Sequence, residues 1–236
     1  MKIATPYLLT VACLICLCGH AQQEPNQKKE ASRVLPGWGT ALDPDNDCKF
    51  FLAKDSLLIS VPGARPHDLA ADIGVINAPR VLQEVHGDFT LQVKVEGRFT
   101  PGDESTKAGR TGYNGAALIA MADPNNVVTL ARAVLQHSGE EAQPYANFEI
   151  RVDGELQRIG LTGDQRLPKD GPVFLRLERR GNKLLGASST DGVNWNVLEP
   201  KEIPSNWPTK LQAGVAAIST SKEEFNPRFS KLQTLK

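Results

Sequence analysis

The chain has 236 residues, of which 40% are hydrophobic and 23% are charged, so it can bury a packed core as a single domain. These proportions exclude a disordered chain and a small disulfide scaffold. Its 27 Lys and Arg residues balance 27 Asp and Glu residues without a long basic run. We therefore expect neither nucleic-acid binding nor electrostatic attachment to a membrane surface.

The start of the chain predicts an export signal. Lys2 precedes a largely apolar run from Tyr7 to Cys18, and Gly19-His20-Ala21 places small residues at the two positions that a signal peptidase reads. We expect residues 1–21 to be a signal peptide, which leaves a secreted or periplasmic chain with one net negative charge. A membrane-spanning helix usually takes about 20 apolar residues, and this run is shorter, so no membrane span is predicted.

A lipoprotein signal is the less favoured alternative. Cys13, Cys16 and Cys18 all lie near the signal's end, but large residues precede the last two, and lipidation requires a small residue there. Cys13 follows Ala12, yet its use would truncate the apolar run. The segment 22–33 is polar and without an apolar repeat, so we expect a flexible tether there and a folded domain over residues 34–236.

Apolar and polar residues alternate in four segments of the domain, and a period of two is typical of half-buried β-strands. These segments are 57–61, 89–95, 148–152 and 173–177. More continuous apolar runs predict central strands at 116–121, 127–135, 183–189 and 211–217. The strands are separated by turn sequences, which are Asp123-Pro124-Asn125-Asn126, Asp153-Gly154, Arg180-Gly181-Asn182 and Asp191-Gly192.

Helical structure is predicted to be almost absent. Only residues 67–85 have room for a helical turn, and Gly74 and Pro79 interrupt that segment. Many short strands joined by hairpins predict an all-β fold, a jelly-roll sandwich of two antiparallel sheets. We expect less than about a tenth of the domain to be helical.

Several groups of residues in chain order carry a resemblance to a known family. They are Trp38 with Asp43-Pro44, Ala78-Pro79-Arg80-Val81-Leu82, Gly87-Asp88-Phe89-Thr90, Asn114-Gly115-Ala116-Ala117-Leu118, and Ser188-Ser189-Thr190-Asp191-Gly192-Val193-Asn194-Trp195. Residues 34–236 resemble the concanavalin A-like regulation-of-enolase family, largely of unknown function, and the C-terminal module of some β-xylosidases. The resemblance implies a concanavalin A-like jelly roll with a carbohydrate role, and it supplies no catalytic residues.

The three tryptophans have different expected environments. Trp195 follows the Asp191-Gly192 turn, and we interpret it as a large side chain that covers one end of the sandwich, with sugar stacking as the alternative. Trp38 is interpreted as a residue that seals an edge. Trp207 stands in a turn-rich loop before Pro208 and is expected to be the more exposed ring.

No cofactor or metal site is predicted. Cys48 is the one cysteine left after removal of the signal, and it is interpreted as a small buried hydrophobe rather than a reactive thiol. The histidines lack the close pairs that zinc sites use. Residues 43–47 place acidic oxygens as a calcium loop does, but Cys48 replaces its glycine and Lys54 its final carboxylate. An Asx-rich turn is favoured there, and structural calcium bound elsewhere by backbone carbonyls stays open.

Catalytic patterns are also missing from the sequence. The Glu-x-Asp-x-x-Glu spacing of jelly-roll glycosidases is absent, and the acidic pairs Glu84/Asp88 and Glu96/Asp103 fall partly in turns. Gln136-His137 lacks the intervening residue of a Gln-x-His lyase cluster, and no nucleophile elbow is present. If the chain is an enzyme, the expected class is a glycoside hydrolase.

The favoured function is recognition of a glycan or polysaccharide. Sugar sites on curved sheets combine planar polar side chains with an aromatic ring. If Phe148, Ile150 and Val152 face the core, the residues between them must face the opposite side of their sheet. The candidate binding residues are Asn114, Arg132, Gln136, Tyr145, Asn147, Glu149 and Arg151.

The orientation of Arg132 is ambiguous because it shares one side of its strand with Val128, Leu130 and Val134. Either Arg132 is paired inside the core, or this side is the groove and Arg132 is displayed. Display is favoured because burial of an unpaired arginine is costly. An alternative to a binding groove, at least as favoured, is that Arg132 forms a cross-strand ion pair with Glu149 on an ordinary solvated sheet.

Two further functions remain as alternatives. One is a glycoside hydrolase, including a keto-glycoside hydrolase, on the same fold, and the other is an envelope domain that binds proteins. Two carboxylates in one cleft favour hydrolysis. A polar and aromatic groove without them favours binding, and a sheet face without polar clusters favours protein interaction.

Overall fold

The fold is described from a computed structural model, which covers residues 33–158 and 166–235. The predicted signal peptide and the predicted tether up to residue 32 lie outside the described residues. Arg33, expected to end the tether, instead opens the first strand. Within the described ranges, no helix is long and apolar enough to span a membrane.

Strands make up nearly all the regular structure of the described residues, and each predicted segment overlaps one of them. The first nine are β1 (Arg33–Leu35), β2 (Gly39–Leu42), β3 (Lys49–Ala53), β4 (Ser56–Ser60), β5 (Leu69–Ala70), β6 (Val75–Ile76), β7 (Arg80–His86), β8 (Phe89–Glu96) and β9 (Gly112–Asp123). The others are β10 (Asn126–Gln136), β11 (Gln143–Val152), β12 (Glu155–Arg158), β13 (Val173–Arg180), β14 (Lys183–Ser189), β15 (Asn196–Val197), β16 (Lys201–Glu202), β17 (Lys210–Ser219) and β18 (Arg228–Leu235).

Two large sheets form the body of the domain. Sheet I has the strand order β1-β2-β7-β17-β9-β10-β11-β12, and sheet II has the order β15-β14-β13-β8-β18-β4-β3, with β16 paired to β14. All the pairings are antiparallel. The prediction of an antiparallel two-sheet sandwich is therefore confirmed.

The main core lies between the sheets and is built from alternate side chains of each strand. Leu118 and Phe148 from sheet I belong to the same buried cluster as Leu91 and Leu175 from sheet II. Phe148 is 1% exposed, so the predicted parity of β11 is confirmed. The intervening residues of sheet I consequently point to the outer face of that sheet, away from sheet II.

A short segment crosses the outer face of sheet I, and we call residues 66–78 the strap. β5 and β6 pair with each other inside it. A single 3₁₀ turn, Ala71–Ile73, stands at the strap's tip, and Gly74 ends the turn with φ of 71°, in the left-handed region that favours glycine. This turn lies within residues 67–85, the one segment in which the sequence left room for a helical turn, and it ends at Gly74.

The Asp191-Gly192 turn is held by its own aspartate. The Asp191 carboxylate accepts hydrogen bonds from the backbone N–H groups of Val193 at 2.7 Å and Asn194 at 2.8 Å. These backbone bonds hold the pKa of Asp191 well below its usual range. The chain then returns as β15, which pairs with β14 through Ser188 and Asn196.

The tryptophan expectations had different outcomes. Trp38 is buried in the core, in agreement with a sealing role. Trp195 is half-buried, and the Arg176 guanidinium lies 4.3 Å from the centre of its ring. The expected exposure of Trp207 is wrong, because the ring packs in the core at 7% exposure and its Nε1 donates to Asn126 Oδ1 at 3.2 Å.

Candidate functional site

The outer face of sheet I carries a second apolar cluster beneath the strap. Leu69 and Ala78 of the strap belong to this cluster, together with small residues of β9 and β10 such as Ala117, Ala131 and Ala133. Tyr145 and Ile218 of the same cluster border a space over the sheet that the strap does not fill.

That space is a cavity of about 420 Å³, within the size range of small-ligand sites. Its lining combines carboxylates, cationic groups, amide and hydroxyl groups, and aromatic rings. The lining residues are Asp68, Ile73, Arg110, Thr111, Tyr113, Leu135, His137, Tyr145, Asn147, Glu149, Arg151, Ile218 and Thr220.

Strand β11 forms one wall of the cavity. Four alternate residues of this strand line it: Tyr145, Asn147, Glu149 and Arg151. They all point outward because Phe148 and Ile150, which lie between them, are buried in the main core. The structure therefore brings together four of the seven candidate residues.

An ion-pair network fixes the inner end of that wall. Arg151 Nη1 donates to Glu149 Oε1 at 2.8 Å, and its Nε donates to Asp72 Oδ1 at 2.9 Å. Burial alone would lower the pKa of Arg151, but the carboxylates of Glu149, Asp72 and Asp68 together outweigh burial and raise it. Glu149 is 8% exposed, so this pair is desolvated and well fixed in position. The proposed cross-strand pair of Glu149 with Arg132 is not formed.

The strap contributes a second carboxylate, Asp68. Its Oδ1 accepts the backbone N–H of Leu69 at 2.8 Å, and Asn77 Oδ1 accepts the backbone N–H of Asp68 at 3.0 Å. Burial raises the pKa of Asp68 to about 6, because it disfavours the carboxylate more than the Leu69 N–H and the Arg151 charge favour it. Asp68 consequently exchanges its proton close to neutral pH.

Tyr113 from β9 lies across the cavity floor. A side-chain carbon added at Gly115 would stand 2.7 Å from the Tyr113 hydroxyl oxygen, so the ring needs the glycine beneath it. The same hydroxyl accepts a hydrogen bond from Asn147 Nδ2 at 3.2 Å. Burial raises the pKa of Tyr113 well above its usual value, so the phenol stays protonated.

The cavity's other end is its mouth, where side chains reach solvent. Arg110 and His137 are both exposed there. Thr111 Oγ1 lies 3.1 Å from His137 Nδ1, and Thr220 Oγ1 donates to the backbone carbonyl of Thr111 at 3.1 Å. These contacts attach the loop before β9 to the end of β10 and to the segment after β17.

The favoured display of Arg132 is wrong. Arg132 is 1% exposed and points into the main core, where its guanidinium lies 4.4 Å from the centre of the Phe99 ring. Its Nη1 and Nη2 atoms donate to the backbone carbonyls of Gly171 at 2.7 Å and Lys169 at 3.2 Å. The two carbonyls accept the hydrogen bonds that a carboxylate counter-ion would otherwise accept, so the guanidinium is not left unpaired. Burial lowers the pKa of Arg132.

Two other candidates also lie outside the cavity lining. Asn114 is 2% exposed, and its Nδ2 donates to Ser219 Oγ at 3.1 Å, whereas the neighbouring Tyr113 faces the cavity. Gln136 has the same strand parity as Arg132, and its Nε2 donates to the backbone carbonyl of Glu140 at 3.2 Å. Both side chains therefore serve local structure.

Several lining residues were missed from the sequence. Tyr113 could have been found from parity, since it alternates with the buried Asn114 and Ala116 on the same strand. Asp68 could not, because only the crossing of the strap places it beside Glu149, 81 positions later in the chain. His137 was considered as part of a lyase pattern and as a zinc ligand, but not as a binding residue.

The structure also assembles a cluster that spacing did not reveal, formed by Asp47, Cys48 and His67. One ligand-type atom of each lies within 4.8 Å of the others. His67 Nε2 is 2.9 Å from Asp47 Oδ1, and Arg65 Nε is 3.3 Å from Asp47 Oδ2. The cluster thus has its own hydrogen bond and ion pair, and burial and nearby carboxylates raise the pKa of the half-buried Cys48 thiol. We assign no metal to it.

The neighbouring turn has the predicted Asx form. Asp43 Oδ1 accepts the backbone N–H of Asn46 at 3.1 Å, and Asp43 Oδ2 accepts that of Cys48 at 2.8 Å. Asn46 has φ of 57°, a left-handed conformation that asparagine tolerates. Asp43 therefore holds the turn, whereas Asp45 accepts a hydrogen bond from Asn77 and Asp47 contacts His67.

Comparison with known proteins establishes the fold. No protein-family model matches the sequence, and no curated protein matches it. A functionally unknown protein from Saccharomyces cerevisiae has a similar crystal structure, with a TM-score of 0.62 and 14% identity over 84% of this chain and 96% of that chain. Xylan β-1,4-xylosidase from Bacillus halodurans has a TM-score of 0.55 and 10% identity over 80% of this chain and 38% of that chain.

A third similar structure is the exoplasmic/lumenal domain of VIP36 in its Ca²⁺- and Man3GlcNAc-bound form. Its TM-score is 0.50 at 13% identity, over 80% of this chain and 81% of that chain. The chain has a concanavalin A-like jelly-roll sandwich fold. Identities this low establish the fold alone, and this chain spans only 38% of the xylosidase. Membership of the regulation-of-enolase family stays a prediction.

Proposed function

We propose that the protein is a carbohydrate-recognition domain whose binding site is the cavity on the outer face of sheet I. The observation that carries this proposal is the lining, in which Asn147, Glu149 and Arg151 stand in a row on β11 with Tyr113 and Tyr145 beside them. Planar polar groups can bridge pairs of sugar hydroxyls, and aromatic rings receive the apolar face of a sugar.

The positions of these groups are fixed before any ligand arrives. Arg151 is held by Glu149 and Asp72, and Asn147 is held by Tyr113. A site organised in this way loses little conformational entropy on binding, which supports affinity for a small, flexible, neutral ligand. VIP36, whose fold is similar, has been crystallised with Man3GlcNAc bound, in line with this use of the fold.

The alternative surface for sugar stacking is weaker. Trp195, directly before β15, has one ring face covered by the Arg176 guanidinium at 4.3 Å. Arg176 also forms an ion pair with Glu178 at 3.0 Å, which holds the cation in place. A sugar would have to displace a paired arginine to reach that face.

A glycan array with the purified protein tests the proposal. We expect binding of at least one glycan class, and we expect Glu149→Gln to reduce that affinity by about tenfold or more, since it removes a charge-assisted acceptor. Glu202→Gln is the matched control, because Glu202 is exposed on β16 of sheet II. Equal affinities of the two variants for an identified glycan would contradict the assignment of the site.

Hydrolysis of a glycan is the second candidate function, and one observation favours it. Asp68 and Glu149 line the same cavity, and burial raises the pKa of Asp68 to about 6, so Asp68 can carry a proton beside a second carboxyl group that is paired with Arg151. If the protein releases reducing sugar from a glycan that binds on the array, and Asp68→Asn abolishes this release, the protein is an enzyme. A bound glycan that stays intact favours recognition alone.

We also propose that the domain acts after export, with residues 1–21 removed. The support comes from the sequence of the first 21 residues alone, namely Lys2, the apolar run and the small residues before position 22. N-terminal sequencing of the protein recovered from expressing cells tests this. A chain that begins at Gln22 is expected, and retention of Met1 would contradict it.

A further inference from the structure

We propose that the cavity receives the terminal unit of a glycan chain and excludes internal units, an inference that rests on the proposed carbohydrate function. A site that binds within a chain needs two exits, one for each direction in which the chain continues. A site that binds a chain end needs only one. In the part of the chain that the structure describes, the strap and the loop between β8 and β9 obstruct two of the routes by which a chain could pass through.

The strap closes the cavity along the direction of the strands. At its start, the backbone of His67 exchanges hydrogen bonds with Ser219 at the end of β17, at 2.8 and 2.9 Å. At its tip, Asp72 accepts the Arg151 hydrogen bond from β11. Between these anchors, Leu69 packs on the apolar cluster formed by β9 and β10. The strap therefore crosses four neighbouring strands from β17 to β11.

A second segment closes the route across the strands at β17. In the loop between β8 and β9, Thr106 donates its backbone N–H to the carbonyl of Thr220 at 2.7 Å. Ser105 forms an isolated bridge with Ser221, and Ser221 Oγ donates to the carbonyl of Pro101 at 2.7 Å. This loop bonds to the residues directly after the strap's anchor at Ser219, so the two segments adjoin at this end of β17.

The closed corner carries polar groups suited to a chain end. Asp68 of the strap lines the cavity, and of its carboxylate oxygens only Oδ1 has a hydrogen bond among the described residues. Lys107 of the loop acts electrostatically on Asp68, and its Nζ is buried without a hydrogen-bond partner in the described ranges. The hydroxyl groups of a terminal sugar would meet an acceptor here, whereas an internal unit would need the glycosidic bond to continue through the strap.

The cavity opens to solvent at the mouth, where Arg110 and His137 stand. Both side chains are exposed, in contrast to the buried groups near the strap. A cavity of about 420 Å³ is near the small end of the usual range for ligand sites, which agrees with one or two sugar units inside and the rest of the chain in solvent.

The experiment compares the same polysaccharide before and after partial acid hydrolysis. Insoluble xylan, mannan, linear β-1,3-glucan and starch are each cut to raise the number of chain ends per gram, and the protein bound at saturation is measured by sedimentation. The fold-change in bound protein per gram should equal the fold-change in chain ends. Free xylose, mannose or glucose should compete for the polysaccharide built from that sugar.

Other results overturn the inference in distinguishable ways. Binding that stays constant per gram as ends increase, and that the free monosaccharide does not displace, places the ligand within the chain and leaves the carbohydrate function standing. Absence of binding to all four polysaccharides and to the glycan array overturns both. The Glu202→Gln variant should repeat the behaviour of the unmodified protein throughout.

Discussion

Replacement of Asp68 by asparagine should stabilise the protein at neutral pH more than at acid pH. The variant keeps the side-chain oxygen that accepts the Leu69 N–H and removes the group that titrates. Burial raises the pKa of Asp68 from the ordinary 3.8 to about 6, so the folded protein binds this proton more tightly than the unfolded chain does. The stability that Asp68 contributes is therefore complete below about pH 4 and is lost as the pH rises to about 6.

The magnitude follows from the two pKa values. At 1.36 kcal/mol for a tenfold change in proton affinity, ionisation of Asp68 costs the folded state about 3 kcal/mol at about pH 7.5. At about pH 4.5 the folded carboxyl group is still protonated while the unfolded one is mostly ionised, and the cost is about 1 kcal/mol. The advantage of Asp68→Asn over the unmodified protein should grow by about 2 kcal/mol between these conditions.

Urea unfolding at the two pH values measures this difference. Asp55→Asn, at an exposed turn, supplies the baseline for removal of a carboxylate from the surface. An advantage of Asp68→Asn that stays constant or shrinks as the pH rises would refute the placement of Asp68 in a desolvated corner.

Three further variants distinguish residues that stabilise the fold from residues that form the binding site. Arg132→Ala should lower the free energy of unfolding by about 3 kcal/mol in urea unfolding, because it leaves a cavity beside Phe99 and removes the hydrogen bonds to the Gly171 and Lys169 carbonyls, while glycan affinity measured by calorimetry stays unchanged. Gly115→Ala should lower glycan affinity and leave thermal unfolding nearly unchanged, because the added carbon displaces the hydroxyl end of Tyr113. Unchanged affinity would contradict the role of Tyr113 in the site. Asp191→Ala should lower the thermal unfolding temperature without affecting affinity, because it removes the acceptor for the Val193 N–H, and an unchanged temperature would contradict the role of this turn.

The strands and the β11 wall could be predicted because both depend on local periodicity. Alternation over residues 148–152 assigned Phe148 to the core and Glu149 to the outer face, and the structure has both there. Trp207 escaped prediction because its burial depends on Asn126, 81 positions away in the sequence.

Arg132 shows the limit of reasoning from side-chain charge. The strand pattern places Arg132 on the same side as Val128 and Leu130, which indicates the core. The free-energy cost of burying Arg132 depends on which groups accept its hydrogen bonds, and the sequence does not show them. Those acceptors are backbone carbonyls at positions 169 and 171, which no side-chain pattern reveals. Asp68 escaped prediction for a related reason, since the crossing of the strap is a property of the assembled sheet.

Chemical-shift mapping of backbone amides tests the central claim most directly. The protein is titrated with the oligosaccharide that gives the strongest array signal. Perturbations should concentrate on residues 145–151 of β11, on Tyr113 and on Asp68 of the strap. Perturbations centred on Trp195 and Arg176 of sheet II, with the amides around the cavity unchanged, would contradict the assignment of the binding site.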